Sequence, residues 1–269
     1  MRRVTDAAPQ ELAGGKLRLD HPAPHVARLT IDHPAKRNAL DHEILDAIAA
    51  VVPELDCRCL LVTAAGPVFS AGYDIGGLPR DEFAHQAEAL VAHPFHDAIA
   101  ALDSFAFPSV AALNGHAIGG GHVLHVLCDL TVAAEHASFG QTGPRVGSFD
   151  AGFGSAYLAR VVGEKRARQL WFLLDRIDAA KAEQWGLVNA VVPADQLLPT
   201  ALAWGRRMAG YSPTALRFLK HSFNADSDSI AGLSHLAFDG LELFAHSEEG
   251  MEGARAFAER RPPDFGPYR

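Results

Sequence analysis

The sequence has few cysteines, and the three that it has, Cys57, Cys59 and Cys128, lie in no CxxC pattern. An odd number in a chain of 269 residues does not indicate a disulfide framework, so a reducing, cytoplasmic location is the simplest expectation. The chain also lacks an apolar run of about 18 residues, the length of a membrane span. We therefore expect a cytoplasmic protein that contacts no membrane.

Positive charge is also in short supply, since 24 Lys and Arg residues face 32 Asp and Glu residues. Nucleic-acid binding depends on clustered Lys and Arg, so we expect no nucleic-acid partner. Residues 1–15 contain no apolar core of a signal peptide and are predicted to be a flexible leader. The hydrophobic content of 48% is enough for the core of one large domain, at residues 16–269.

Four apolar segments predict β-strands, and they lie at residues 17–20, 25–31, 58–63 and 108–113. The first two are typical of a hairpin. The other two are continuously apolar, as expected for strands that are buried on both faces. Strands, glycine-containing loops and helices recur in order, which predicts an α/β fold with parallel strands and crossover connections.

Helical patterns fill most of the remaining chain. Asp41 is a typical N-cap for a helix that ends near Val52. Further helices are predicted at residues 81–102, 120–127, 151–162, 164–173, 179–185, 195–209, 213–224 and 229–258. A short strand near 188–192 interrupts them, so the chain after residue 150 is predicted to be almost wholly helical.

Two glycine-rich loops follow buried strands, FSAGYDI (Phe69–Ile75) and NGHAIGGGH (Asn114–His122). Glycine allows the close approach that aims backbone N–H groups at a ligand, and a following helix adds its positive end. Each loop alone could be a plain strand-to-helix turn. A dinucleotide site fits less well, because neither loop contains GxGxxG, and the Walker lysine is missing.

Taken together and in this order, the two loops resemble the signature segments of the crotonase (enoyl-CoA hydratase/isomerase) superfamily. HPAKRNALD (His33–Asp41) resembles a third signature, and the similarity covers about residues 16–266. The resemblance implies a ClpP/crotonase-like fold of repeated ββα units, with a core at about 16–195. It also implies a C-terminal helical region, about 196–269, that assembles trimers or hexamers.

The same resemblance implies an enzyme that binds an acyl-CoA thioester and stabilises its enolate with the N–H groups of Ala71 and Gly120. In hydratases of the family two glutamates transfer protons, and their positions hold Val123 and Gly143 here. Ordinary hydration therefore lacks its acid and base. CoA is expected only as part of the substrate, with no tightly bound cofactor.

The runs GGGHVLHVLCDL (119–130) and FGQTGPRVGSFDAGFGSAYLARVVG (139–163) resemble the 1,4-dihydroxy-2-naphthoyl-CoA synthase branch, whose members are lyases. A ring-opening hydrolase shares much of the same sequence, so the resemblance implies carbon–carbon bond formation or cleavage. Two features depart from the synthases. Ala245 replaces a tyrosine that enters a neighbouring subunit's site, and the loop after the first glycine segment is shorter.

The branch resemblance also implies roles for individual residues. Asp150 would be the acid/base, although it could instead be a plain N-cap. The remaining expected contacts are Gln141, Thr142, Gly143 and Ser148 with the substrate, bicarbonate beside Gly143 as a substitute base, and Arg37 and Arg260 with CoA.

Four further positions stay open. Tyr73 and Asp74 in the first loop and His116 in the second are candidates for substrate contact, but Asp74 could brace its loop and His116 could bond to backbone. His122 and His125 have the spacing of metal ligands on a helix, yet no third ligand is evident, so we expect no metal.

Two other functions remain as alternatives. One is a hydratase or isomerase that has recruited His116 or Asp150 for proton transfer. The other is a catalytically silent subunit that only binds acyl-CoA.

Overall fold

Two β-sheets form the centre of the protein. The computed structural model describes residues 8–74, 94–150 and 152–268. Among these residues, eleven strands occur: β1 (Gln10–Leu12), β2 (Leu17–Ala23), β3 (Val26–Ile31), β4 (Cys59–Ala64), β5 (Val68–Ser70), β6 (Ser109–Leu113), β7 (His116–Ile118), β8 (Leu130–Ala134), β9 (Ser138–Gly140), β10 (Ile177–Asp178) and β11 (Ala190–Val192). The larger sheet has the order β1-β2-β3-β4-β6-β8-β11, and the smaller has the order β10-β9-β7-β5.

The two sheets share a simple connection rule. Strands β4, β6 and β8 belong to the larger sheet, and each is followed by a three-residue strand of the smaller sheet. The pairs from β3 to β11 in the larger sheet are parallel, as are β5-β7 and β7-β9 in the smaller sheet. The predicted α/β fold with parallel strands is therefore confirmed, and the short strands form the second β of each ββα unit.

Helices cover the sheets and dominate the C-terminal part. The described helices are α1 (His42–Val51), α2 (Pro94–Asp103), α3 (Gly120–Leu127), α4 (Leu158–Val162), α5 (Glu164–Arg168), α6 (Ala179–Gln184), α7 (Leu197–Ala209), α8 (Pro213–Ala225), α9 (Asp228–Ala245) and α10 (Glu248–Glu259). Two π-helical turns, Gly152–Tyr157 and Gln169–Leu173, adjoin α4 and α5.

Strand β4 shows why the central strands are continuously apolar. Leu60 and Val62 point into the core between the two sheets, whereas Cys59 and Leu61 pack under α7. A Cβ on Gly205 of α7 would lie 3.4 Å from the Cys59 sulfur, so this helix rests closely on the sheet. Both faces of β4 are thus covered, as its sequence predicted.

Most of the predicted elements are confirmed, with two differences. Asp41 caps α1 by accepting from the Ile44 N–H at 3.0 Å. Residues 10–12 of the predicted flexible leader instead form strand β1. A tight turn at Gly14 follows, and β1 pairs with β2. The predicted helix 229–258 is two helices, because α9 ends at Ala245 and Ser247 caps the start of α10. The start of the helix predicted at 81–102 lies outside the described residues.

Helices α8 and α9 expose large apolar side chains. Phe223 is 74% exposed and Leu243 is 78% exposed, and Phe218 and Leu236 are also mostly exposed. Surfaces of this kind are typical of protein contacts. The expected trimer or hexamer stays a prediction.

One buried lysine ties α8 to the sheets. The Lys220 ammonium donates to Asp129 Oδ2 at 2.9 Å and to the Phe107 carbonyl at 3.2 Å, and its side chain is only 4% exposed. The same Asp129 oxygen accepts from the backbone and hydroxyl of Ser109. A single carboxylate thus joins the start of β6, the end of α3 and α8.

We expect Lys220→Met to lower the free energy of unfolding by about 2 kcal/mol, because the charged hydrogen bonds from the buried ammonium to Asp129 and to the Phe107 carbonyl would be lost. Lys165→Met is the matched control, since Lys165 is exposed on α5 and the change there should be small. Chemical denaturation measures both. An equal effect of the two substitutions would contradict the proposed tether.

Candidate functional site

Nearly all of the predicted site residues line a cavity of about 800 Å³. Its lining includes Arg37, Ala71, Tyr73, Asp74, His116, Gly120, Gln141, Thr142, Gly143, Ser148 and Asp150. Arg260 does not belong to the described lining; it lies at the C-terminal end of α10. The structure therefore brings together every predicted residue except Arg260, whose contact with CoA stays a prediction.

The two glycine-rich loops touch each other at the cavity. Gly72 has a φ of +92°, and a Cβ there would lie 2.8 Å from the Ile118 carbonyl and 3.1 Å from the Gly120 nitrogen. A Cβ on Gly120 would lie 3.6 Å from the Tyr73 nitrogen. Only glycine permits this approach. As a result, the backbone N–H groups of Tyr73 and Gly120 lie side by side in the cavity lining.

This geometry corrects one prediction. The Ala71 N–H donates to the Arg37 carbonyl at 3.0 Å, so it is occupied within the protein and cannot take the predicted role. The Leu40 N–H donates to the Gly72 carbonyl, and the Leu40 carbonyl accepts from the Asp74 N–H. The Tyr73 N–H takes part in neither of these hydrogen bonds. Tyr73 is therefore the residue of the first loop that offers its amide.

Gly120 supplies the second amide from the start of α3. The first N–H groups of a helix have no acceptor within it, and the positive end of the helix dipole lies here. Gly119 holds the turn by donating to the Gly140 carbonyl at 3.0 Å. The predicted role of Gly120 thus agrees with its position.

Asn38 supports the first loop and was missed by the sequence analysis. It is fully buried with a φ of +53°, and its side-chain nitrogen donates to the carbonyls of Ala65 and Val68 at 2.8 and 2.6 Å. Its own carbonyl accepts from the Ser70 hydroxyl at 2.8 Å. The tolerance of asparagine for left-handed backbone was the available signal.

Asp150 both caps a turn and lines the cavity. Its Oδ1 accepts from the N–H groups of Gly152 and Gly154 at 3.1 and 2.9 Å. Burial raises the pKa of its carboxyl, although these two hydrogen bonds oppose the effect. The capping interpretation and the acid/base interpretation are therefore compatible in one residue.

Gly143 leaves no room for a side chain. A Cβ there would lie 2.7 Å from the Ser148 carbonyl and 2.9 Å from the Trp171 ring. Trp171, which the sequence analysis did not identify, donates its indole N–H to the Gly154 carbonyl at 2.5 Å. The Trp171 indole N–H and the Gln141 amide nitrogen both point to partners within the protein, so neither of these two donors is free for a bicarbonate. The bicarbonate stays an untested prediction.

A comparison with known proteins identifies the family. Residues 23–267 match the family model described as enoyl-CoA hydratase/isomerase. The chain belongs to this family, within the crotonase superfamily. The match begins at the last residue of β2 and covers strands β3 to β11 and the C-terminal helices.

Solved structures of similar proteins agree with this assignment. An enoyl-CoA hydratase from Mycobacterium avium subsp. paratuberculosis is 28% identical, with a TM-score of 0.80 over 93% of this chain and 98% of that one. Pseudomonas aeruginosa OdaA is 26% identical, with a TM-score of 0.81 over 90% and 98%. A monofunctional enoyl-CoA isomerase from M. smegmatis is 29% identical, with a TM-score of 0.66 over 87% and 97%. The predicted crotonase fold is confirmed.

Three candidate residues of this family member have neighbours that define their state. Lys36 binds Asp74 at 2.5 Å, which agrees with a bracing role for that carboxylate. His116 bonds through Nδ1 to the Ser138 hydroxyl at 2.8 Å rather than to backbone. The Tyr73 ring packs edge-on against His42, and burial raises the pKa of its hydroxyl.

The C-terminal helices of the enoyl-CoA hydratase/isomerase fold close the cavity within the same chain. Leu241 and Ala245 of α9 and Phe257 of α10 belong to its lining. A Cβ on Gly253 would lie 2.3 Å from the Val146 carbonyl carbon, so α10 packs directly on the loop before Asp150. Ala245 therefore faces the site at the position where a tyrosine was expected from the synthases.

The described residues offer neither a metal site nor a membrane-spanning helix. No group of three or more His, Cys, Asp or Glu side chains there is arranged to hold a metal ion. None of the helices in this part of the chain combines the length and the apolar character that crossing a membrane requires.

We expect Gly72→Ala to destabilise the fold more than Gly186→Ala. Both glycines have positive φ, but nothing lies within 4 Å of a Cβ on Gly186. Gly186→Ala therefore measures backbone strain alone, about 1 kcal/mol, whereas Gly72→Ala adds a collision worth about 2 kcal/mol. Denaturant unfolding measures the difference. Equal losses would mean that the two loops separate without cost.

Proposed function

We propose that this family member forms the enolate of an acyl-CoA thioester and uses Asp150 to return the proton to a different carbon, which shifts a double bond. One observation carries the proposal. Two carboxylates line the described part of the cavity, and Lys36 binds one of them, Asp74. Asp150 is the carboxylate that remains for proton transfer.

The adjacent amides of Tyr73 and Gly120 would receive the thioester oxygen. Negative charge grows on this oxygen as the enolate forms, so both hydrogen bonds strengthen in the transition state. Each could lower the barrier by about 3 kcal/mol. The helix dipole at Gly120 acts in the same direction.

A single carboxyl suits proton movement between carbons better than hydration. Asp150 has a raised pKa, which makes its carboxylate a stronger base towards a carbon acid and leaves the acid able to return the proton. Hydration would need a second group to activate water, but Val123 is buried and apolar and Gly143 is packed against Trp171. The resulting function is an isomerase-type reaction on an enoyl-CoA.

Positive side chains around the cavity support a CoA ester as the substrate. Lys36, Arg37, Arg145 and Arg176 all belong to the described lining. A planar guanidinium suits phosphate oxygens, and CoA carries several phosphate groups. Arg37, next to the first loop, is the residue that we expect to bind them.

Carbon–carbon bond formation or cleavage is a second candidate, because it uses the same enolate. Bulky apolar side chains, Phe149, Trp171, Leu241 and Phe257, belong to the lining and suit a large acyl group. The similarity of residues 119–130 and 139–163 to the naphthoyl-CoA synthases also favours it. A product mass after incubation with succinylbenzoyl-CoA distinguishes ring closure from a double-bond shift.

We expect Asp150→Asn to slow exchange of the substrate's α-proton with heavy water at least about 100-fold, because the amide cannot accept that proton. Mass spectrometry of 3-enoyl-CoA thioesters follows both the exchange and the double-bond shift. Asn can still accept from Gly152 and Gly154, so the cap is kept. Asp178→Asn is the control, since Asp178 caps α6 outside the described cavity lining.

The outcome also separates the rival functions. Tight thioester binding without exchange in the unsubstituted protein would favour a binding subunit. If Asp150→Asn exchanged the α-proton as fast as the unsubstituted protein, the proposed role of this residue would be contradicted.

We expect the same substitution to stabilise the fold at pH 7. The pKa of Asp150 is higher in the folded than in the unfolded chain, so the folded state binds more protons between the two values. Stability from this group is therefore lost as the pH rises through the folded-state pKa. Asparagine carries no charge and avoids that loss. The Tm difference between Asp150→Asn and the unsubstituted protein should be positive at pH 7 and shrink as the pH falls through the folded-state pKa of Asp150.

A further inference from the structure

The first glycine-rich loop is held from behind by hydrogen bonds. Three of them join backbone to backbone, over 2.8–3.1 Å, and run from Ala71 to Arg37, from Leu40 to Gly72 and from Asp74 to Leu40. Another uses a side chain, because the Gly72 N–H donates to the Ser70 hydroxyl at 3.1 Å. Substitution of a side chain cannot remove the first three bonds, but it can remove the bond to Ser70.

The hydroxyl of Ser70 has a fixed orientation. Ser70 is fully buried and does not belong to the described lining of the cavity. Its hydroxyl donates to the Asn38 carbonyl at 2.8 Å, so the lone pairs of the oxygen are left to accept from the Gly72 N–H. The side chain of Asn38 is held in turn by two backbone carbonyls. The acceptor for Gly72 is therefore set before any ligand arrives.

Ser70 also touches the helix that supplies the second amide. A Cβ on Gly121, the residue after Gly120, would lie 2.6 Å from the Ser70 Cβ and 2.8 Å from its hydroxyl oxygen. The side chain of Ser70 thus rests directly on the first turn of α3. One buried residue contacts the backbone on both sides of the paired amides.

Loss of the hydroxyl would release the backbone of Gly72. This residue is buried, has a φ of +92° and carries no Cβ that restricts its angles. An unpaired, buried N–H is costly, so the Gly72 backbone would turn towards another acceptor. The next peptide carries the Tyr73 N–H, whose direction depends on the same backbone angles.

We propose that Ser70 is a positioning residue of the acyl-CoA site, whose hydroxyl fixes the Gly72 backbone so that the Tyr73 amide points at the thioester oxygen beside the Gly120 amide. The inference rests on the proposed function and adds a residue to it. Ser70 does not touch the substrate, so its effect on the reaction passes through the Tyr73 amide.

Infrared spectroscopy of bound butyryl-CoA, with a heavy-carbon label at the thioester carbonyl, reports on the two amides directly. Hydrogen bonds to the carbonyl oxygen lower its stretching frequency, and this thioester has no double bond to shift. We expect the full protein to lower the frequency and Ser70→Ala to lose about half of that shift, because one of the two donors is turned away.

Kinetics and binding give a second readout of Ser70→Ala. Hydrogen bonds to an enolate are stronger than those to the thioester, so the loss should appear mainly in the rate. We expect exchange of the α-proton with heavy water to slow about tenfold. The Kd of butyryl-CoA should change less than about twofold. A purely structural role for Ser70 would change neither the carbonyl frequency nor the ratio of the two effects.

Ser109→Ala is the matched control. Ser109 is equally buried, and its hydroxyl also donates once and accepts once, to Asp129 Oδ2 at 2.9 Å and from the Asp129 N–H at 3.1 Å. It lies outside the described lining of the cavity. Both substitutions should lower the Tm, but Ser109→Ala should keep the carbonyl shift. If Ser70→Ala does not fold, Ser70→Cys replaces it, since sulfur is a weaker acceptor and the shift should still fall.

Three outcomes would overturn the inference. They are no carbonyl shift in the unsubstituted protein, a full shift in the Ser70 variant, or an equal loss in Ser109→Ala. The carbonyl shift needs no proton transfer, so Asp150→Asn should keep it. Absence of the double-bond reaction with an intact, Ser70-dependent shift would contradict the proposed function alone.

Discussion

The close contact between the two glycine-rich loops is the constraint on which the site depends. Gly72 approaches the Gly120 nitrogen so closely that a methyl group could not fit between them. This contact places the Tyr73 and Gly120 amides beside each other, although their strands belong to different ββα units. The small sheet makes it possible, because β5 and β7 are neighbours and each ends at one of the loops.

Burial of Asp150 favours the proposed chemistry but lowers the stability of the fold. Asp150 is held by two backbone N–H groups, yet burial still raises its pKa. A carboxyl in this state is a poorer contributor to folding than a solvated one, but it is better suited to carry a proton between carbons. Asp150 serves both folding and proton transfer, because its hydrogen bonds to the turn hold the side chain in place in both protonation states.

The sequence predicted the helices and strands more accurately than it predicted the geometry of the loops. The continuously apolar β4 and β6 are recognisable because both of their faces are buried, which is a local property. The choice of Ala71 instead of Tyr73 was wrong because the free amide is decided by distant partners, Arg37 and Leu40. The same limit applies to Trp171 and to the three-residue strands β5 and β7, which carry too few residues for a periodic pattern.

The positions of Val123 and Gly143 suggest how one backbone can support different reactions. The amides of Tyr73 and Gly120 belong to the main chain, so enolate stabilisation does not depend on which side chains surround them. Filling the Gly143 position with the Ser148 carbonyl and the Trp171 ring removes the place for a second carboxylate. In the proposed reaction the side chain that enters from the next turn, Asp150, transfers the proton, so the packing around one glycine limits which groups can take part.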